Sequence, residues 1–363
     1  MFDFVPLEYY STLHYCILLM IMVIILLYTL VYDTSDISSL NTLNLVGYVF
    51  LLYVVLYIGT RPISGQYFTD MGYYARNFNL VRRGASITVV NDYMFNYFLI
   101  FCAKIMNDRM YFLVIAILYT IPCYLFSKRY LGRYWFFGFF MFVGSMSFWA
   151  YGTNGIRNGF ATAIFILALA YYNNKILLYS FLFISFGLHN SIIIPLAAFI
   201  ASGLYKNPKI YLLIWILAIP LSLIGGSFWE NFFSSLGFDD RSSAYLTENE
   251  ALQSKFSSTG FRWDFLLYSA TAVYAGYYYI FKKGIEDKFY IHLFGMYTIA
   301  NAFWILVIRA NFSNRFAYLS WFLMAPVIAY PMLKYKFWKD QYKIFGIILT
   351  LYYLFTFVMF FKG

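Results

Sequence analysis

Long apolar runs alternate with short polar breaks along the whole chain. Set against the roughly 20 residues that cross a bilayer core, they predict spans at about residues 13–32, 43–59, 110–127, 133–151, 155–172, 209–226, 263–281, 289–308, 315–333 and 341–361. Two segments fit less simply. Residues 93–107 are apolar but short, and residues 176–204 are too long for one straight span and too short for two, with Gly187, His189, Asn190 and Pro195 interrupting them. The alternating segments of roughly 10 residues that mark a membrane β-barrel are not the pattern here. The expectation is an all-α polytopic membrane protein of about ten to twelve transmembrane or re-entrant helices, forming a single integral membrane domain over residues 1–363.

Composition agrees: 62% of residues are hydrophobic, 12% are charged and the mean hydropathy is +0.66, far from a soluble domain. The first apolar run lacks a basic segment before it and a small-residue cleavage site after it, so it reads as a retained helix. Cys16, Cys102 and Cys123 sit in apolar stretches without paired spacing or nearby His, which favours packing over a metal site or disulfide framework.

Charge sets orientation. Lys128, Arg129 and Arg133, then Lys175, Lys206 and Lys209, then Lys282, Lys283 and Lys288, then Lys334, Lys336, Lys339 and Lys343 mark cytoplasmic loops by the positive-inside rule. With both ends of residues 176–204 then on one side, that segment becomes a broken, re-entrant pair of short helices with His189 near its tip. Residues 93–107 likewise become an interfacial or re-entrant helix, and the amino terminus faces out. The outer side carries two substantial loops, about 60–109 and 227–262. Its basic residues are mostly arginines, namely Arg61, Arg76, Arg82, Arg83, Arg109, Arg157, Arg241, Arg262, Arg309 and Arg315, with Lys104 and Lys255 the exceptions. Arginine holds phosphate through a two-point fork, whereas lysine is a hydrated point charge. The net charge of +10 is spread over short loops without the dense stripe of a nucleic-acid binder. Anionic lipid or an anionic lipid-linked substrate fits it better. The stretch from Asp239 to Asp264, mixed in charge and rich in Ser, Thr and Gly, reads as a lid over the outer face.

No phosphate-binding loop, dinucleotide fingerprint or zinc-protease helix is present. Of the 3 histidines, His14 and His292 lie in or beside spans and read as packing residues. His189 sits with Asn190 and Ser191 at a helix break, where irregular backbone needs protein or a water-filled cavity beside it. Charge and helix-breaking residues also meet in Gly59-Thr60-Arg61-Pro62-Ile63-Ser64-Gly65, running on to Thr69-Asp70-Met71-Gly72-Tyr73-Tyr74, in Thr153-Asn154-Gly155-Ile156-Arg157-Asn158-Gly159, and in the segment from Asn311 to Tyr318. Arg157 falls in the first turn of a span, where a cation needs an anionic partner. That partner is either a ligand or a carboxylate of the protein.

The Gly-Thr-Arg, Gly65, Asp70, Tyr73-Tyr74 pattern resembles the amino-terminal signature of EpsG-like proteins, a branch of the Wzy-type polysaccharide polymerases. Asn154 through Arg157 to Ala161 is similar to that family's Asn-x-x-Arg-x-x-x-Ala segment, and His189-Asn190-Ser191 to its His-x-Ser. The resemblance covers the first half of the chain most closely, and the second half agrees in hydropathy and in Arg315 opening a span. One departure is that Gln66, Tyr67, Phe68 and Thr69 intervene between Gly65 and Asp70, where the family has its Asp two residues after the Gly.

The resemblance implies a GT-C-like helical bundle with periplasmic loops, lying in a bacterial inner membrane. Its activity would be to join undecaprenyl-diphosphate-linked oligosaccharide repeat units at the periplasmic face, toward O-antigen (lipopolysaccharide) or another exopolysaccharide. It implies no metal and no cofactor, donor and acceptor lipids as partners, and a chain-length regulator protein as a further one. The site residues that follow are Asp70 or His189 as base, Arg61, Arg157, Arg262 and Arg315 for the diphosphate, and Tyr73, Tyr74, Tyr245 and Trp263 for stacking on sugars. A lipid-linked oligosaccharide flippase and a sugar O-acyltransferase, the latter resting on His14, are the rival readings.

Overall fold

In a computed structural model the chain is described at residues 2–32, 36–86, 89, 91–235, 260–310 and 313–362, and among these it is helical without a strand. Among the described residues seven segments are long and apolar enough to cross a membrane, and four shorter apolar helices accompany them, within the ten to twelve expected. The protein is a polytopic α-helical membrane protein. Tyr245 and most of the expected lid, residues 236–259, lie outside the described residues.

The chain divides into two compact units, Met1–His189 with Met332–Lys362, and Asn190–Pro331. The first contains α1 (Leu7–Val31), α2 (Ile37–Gly59), α3 (Thr69–Arg82), α4 (Tyr93–Ile105), α5 (Asp108–Leu131), α6 (Trp135–Val143), α7 (Met146–Thr153), α8 (Ile156–Ala170) and α9 (Lys175–Leu188). The last helix of the chain, Gln341–Lys362, closes it. Hydroxyls tie these apolar helices together, because a buried phenol must find an acceptor. Tyr10 and Tyr57 stack at 4.3 Å and donate to each other's backbone carbonyls at 2.8 and 2.9 Å, and Tyr353 donates to the Tyr15 carbonyl at 2.5 Å. His14 is fully buried against the Trp149 ring at 4.2 Å, with Nδ1 3.1 Å from the Tyr53 hydroxyl, as a packing residue should be.

The second unit holds α10 (Ile193–Leu204), α11 (Pro208–Ser235, bent at Gly225), α12 (Trp263–Tyr277, continuing in a π turn to Lys282), α13 (Lys288–Leu306), α14 (Ser313–Trp321) and α15 (Met324–Lys334), whose end passes into the first unit's range. Asn301 stands at its centre, fully buried. The amide donates to Ser269 at 3.2 Å and Ser320 at 2.9 Å, and its oxygen accepts from the Trp215 indole at 2.7 Å. His292 bonds the Phe199 carbonyl at 2.8 Å and is likewise a packing residue.

Three expectations change in detail. The 133–151 span breaks at Gly144–Ser145, where the Ser145 hydroxyl bonds the Phe142 carbonyl at 2.8 Å and so replaces a helix bond lost at the break. The 315–333 span is two helices separated at Phe322–Leu323. The 60–109 segment, expected as an outer loop with one short helix, is mainly helix: α4 is the expected helix and α3 is a further one. Its sequence carries the signal, since Met71, Tyr74, Ala75 and Phe78 form a buried face at helical spacing. The break at His189 falls where the sequence put it, between α9 and the 3₁₀ turn Asn190–Ile192.

Candidate functional site

The first unit's polar centre is built by three chain breaks. After α2, Pro62 prevents the helix from continuing. The Ser64 hydroxyl then accepts from the amides of Gln66 and Tyr67, both at 3.2 Å, and turns the chain back. Gly65 and Gly72 lie so close that a Cβ on Gly72 would sit 2.6 Å from the Gly65 Cα, so the first coil of α3 can meet the turn only with glycine at position 72. This packing places Tyr74 on the buried face of α3. Asp70 lies one turn earlier, partly exposed in the helix's first turn, and among the described residues it has no hydrogen-bond or ion-pair partner.

The second break is the corner between α7 and α8. The amides of Asn154 and Gly155 both bond the Ala150 carbonyl at 2.9 Å, and α8 begins at Ile156. A Cβ on Gly159 would fall 2.5 Å from the Tyr151 carbonyl oxygen, so a larger residue would push the two helices apart. The third break is His189, extended at the end of α9. The Ser185 hydroxyl fixes α9 to α8 by donating to the Ala161 carbonyl at 2.7 Å.

These breaks bring together Arg157, Tyr74, His189 and Asp92. Arg157 Nη1 lies 2.5 Å from Asp92 Oδ2, and Arg157 Nε donates to the Tyr74 hydroxyl at 2.8 Å. His189 Nδ1 is 3.8 Å from Asp92 Oδ1. Asp92 is 2% exposed, whereas the Arg157 side chain is 18% exposed. A cation, a carboxylate, an imidazole and a phenol thus meet at the edge of an apolar bundle, a set able to bind an anion and move a proton.

Arg61 stands apart in character. It is 4% exposed, and its guanidinium bonds the Ile58 carbonyl and, at 2.9 Å, the Thr153 carbonyl. The rings of Phe68 and Phe112 lie 5.4 and 5.7 Å away. Tyr73 is exposed beside Tyr74, with ring centroids 5.6 Å apart. In the second unit Arg262 pairs two-point with Asp264, both bonds 2.9 Å, and lies 3.6 Å over the Phe265 ring. Arg262 and the exposed Arg315 both lie within electrostatic reach of the Tyr318 hydroxyl. Trp263 is exposed beside Phe261 at 4.5 Å. No group of three or more metal-ligating side chains occurs among the described residues.

Sequence reasoning missed Asp92. Its signal was present: Asn91-Asp92 precedes the apolar run of α4, the position of a helix cap. Nothing local, however, says that the carboxylate serves Arg157, 65 positions away.

Polytopic helices broken at charged, glycine-bearing corners define a multi-pass membrane protein with a polar cluster among the helices of its first unit. The chain belongs to the EpsG family, whose model matches residues 45–363. That family consists of polysaccharide-polymerase-like membrane proteins. No curated protein and no solved structure matches the chain.

Proposed function

We propose that this protein is a glycosyltransferase that joins undecaprenyl-diphosphate-linked oligosaccharide repeat units at the periplasmic face of a bacterial inner membrane. The observation that carries the reading is the Arg157–Asp92–His189 cluster at the break between helices. In the reaction a hydroxyl of the acceptor unit attacks the anomeric carbon of the donor. The new glycosidic bond forms, the bond from that carbon to the lipid diphosphate breaks, and the hydroxyl proton goes to His189.

Arg157 neutralises the departing diphosphate, helped by the amide dipoles at the start of α8. Tyr74 holds the guanidinium by its Nε, Tyr73 offers an exposed ring to sugar, and Arg61 braces the corner on which Arg157 stands. Within the second unit, Arg262, Arg315 and Trp263 offer cations and an exposed aromatic of the kind that bind phosphate and sugar. Asp70, the alternative base, lies on the helix face that carries Tyr74. His14 is enclosed by Trp149 and Tyr53, which leaves the O-acyltransferase reading without its histidine.

Deleting the protein and running the surface polysaccharide on a gel tests the reading. Single repeat units on otherwise complete carrier are expected. Loss of all surface glycan would identify a flippase, and normal chains lacking acetyl groups an acyltransferase.

A further inference from the structure

Asp92 has a combination of features that an ion pair for stability alone does not require. It is the single non-glycine residue with positive φ among the described residues, at φ 53° and ψ 47°. It stands at the cap position of α4, yet its side chain makes no capping bond to the helix amides, the usual task of aspartate there. The carboxylate points into the bundle instead, with Oδ2 toward the Arg157 guanidinium and Oδ1 toward the His189 imidazole. An unusual backbone state kept at a buried charge points to a demand on that side chain.

We infer that Asp92 is the positioning residue of the site, its two oxygens shared between the cation that meets the diphosphate and the imidazole that receives the acceptor proton. This rests on the polymerase reading above. A carboxylate facing Nδ1 keeps the proton of a neutral imidazole on that nitrogen and presents the Nε2 lone pair as the base. The 3.8 Å separation is longer than a hydrogen bond. Catalytic contacts of this kind commonly tighten when substrate arrives. The same carboxylate fixes the distance between Arg157 and His189, and thereby between the leaving group and the attacking hydroxyl.

Asp92→Asn is the informative variant, since asparagine accepts the left-handed conformation and keeps the shape. In ¹⁵N-histidine spectra of the full-length protein in lipid nanodiscs, assigned with His189→Ala, wild-type His189 is expected as the Nδ1–H tautomer. Asp92→Asn is expected to lose that preference, and an identical His189 spectrum in the two proteins would overturn the inference. In vesicles supplied with lipid-linked repeat units, Asp92→Asn is expected to lower kcat by roughly 10²-fold or more with KM for the donor little changed. Added to His189→Ala, it should lower the residual rate much less than it lowers the wild-type rate, the remainder being its hold on Arg157, and an equal loss in both backgrounds would mean that Asp92 does not act through His189. Absence of polymer from the wild-type protein would instead remove the polymerase reading, while the spectra would still decide whether Asp92 orients the imidazole.

Discussion

Arg61 and Arg157 stand at the two sides of one corner, where α7 ends and α8 begins, and they differ in what they hold. Arg61 is sealed between two aromatic rings and spends its hydrogen bonds on the backbone carbonyls of Ile58 and Thr153, at the carboxyl ends of α2 and α7. A cation suits that place, since helix carboxyl ends carry partial negative charge and unpaired carbonyls. Arg157 meets a carboxylate and a phenol, and the carboxylate also faces an imidazole. Burial of a cation in a membrane protein therefore does not by itself mark a ligand site. Backbone partners are fixed and make a brace, whereas ionisable partners can exchange charge with a substrate.

The largest effect that sharpens this contrast is expected from His189→Ala. It should lower polymer formation by roughly 10² to 10⁴-fold, the usual contribution of a positioned base, with normal thermal stability. Loss of folded protein instead would move His189 to the structural side. Arg61→Ala comes next and should show the opposite pattern. It leaves two helix-end carbonyls without their donor, at about 1–3 kcal/mol each, so yield and melting temperature should fall. Polymerisation per folded molecule should stay within a few-fold of wild type. A stable Arg61→Ala protein without polymerase activity would erase the distinction between the two arginines.

Tyr74→Phe removes one hydrogen bond to a charged group, a change of about 1.5–3 kcal/mol. The rate is expected to drop about tenfold, measured by the length of polymer made in a fixed time. The smallest effect belongs to Asp70→Asn. A partly exposed residue with no partner among the described residues is expected to change stability by no more than about 0.5 kcal/mol. Polymer length should be unaltered, and a large loss would return the base to Asp70.

How legible this was in the sequence depended on range. Apolar length located the helices, and the residues that interrupt helices located the corners at Arg61, Asn154–Gly155 and His189, because both signals are local. The breaks at Gly144–Ser145 and Phe322–Leu323 lie inside continuous apolar runs, where hydropathy does not change and only a hydroxyl or a packing contact records the interruption. Asp92 was hidden for another reason. An aspartate before an apolar helix reads as a cap, and only the fold, which carries α8 and α9 back to the start of α4, turns it toward Arg157 and His189. The sequence also treated Arg61 and Arg157 alike, since each stands two residues after a glycine at a span boundary and the difference between carbonyl and carboxylate partners is tertiary.

The most direct test compares polymer synthesis per folded molecule by wild type, Arg157→Lys and Arg157→Ala, reconstituted in vesicles with lipid-linked repeat units. The account expects long polymer from wild type, short polymer from Arg157→Lys, which keeps the charge without the two-point fork, and single repeat units from Arg157→Ala. Wild-type chain length from folded Arg157→Ala would contradict it and reduce the Arg157–Asp92 pair to a brace like that of Arg61.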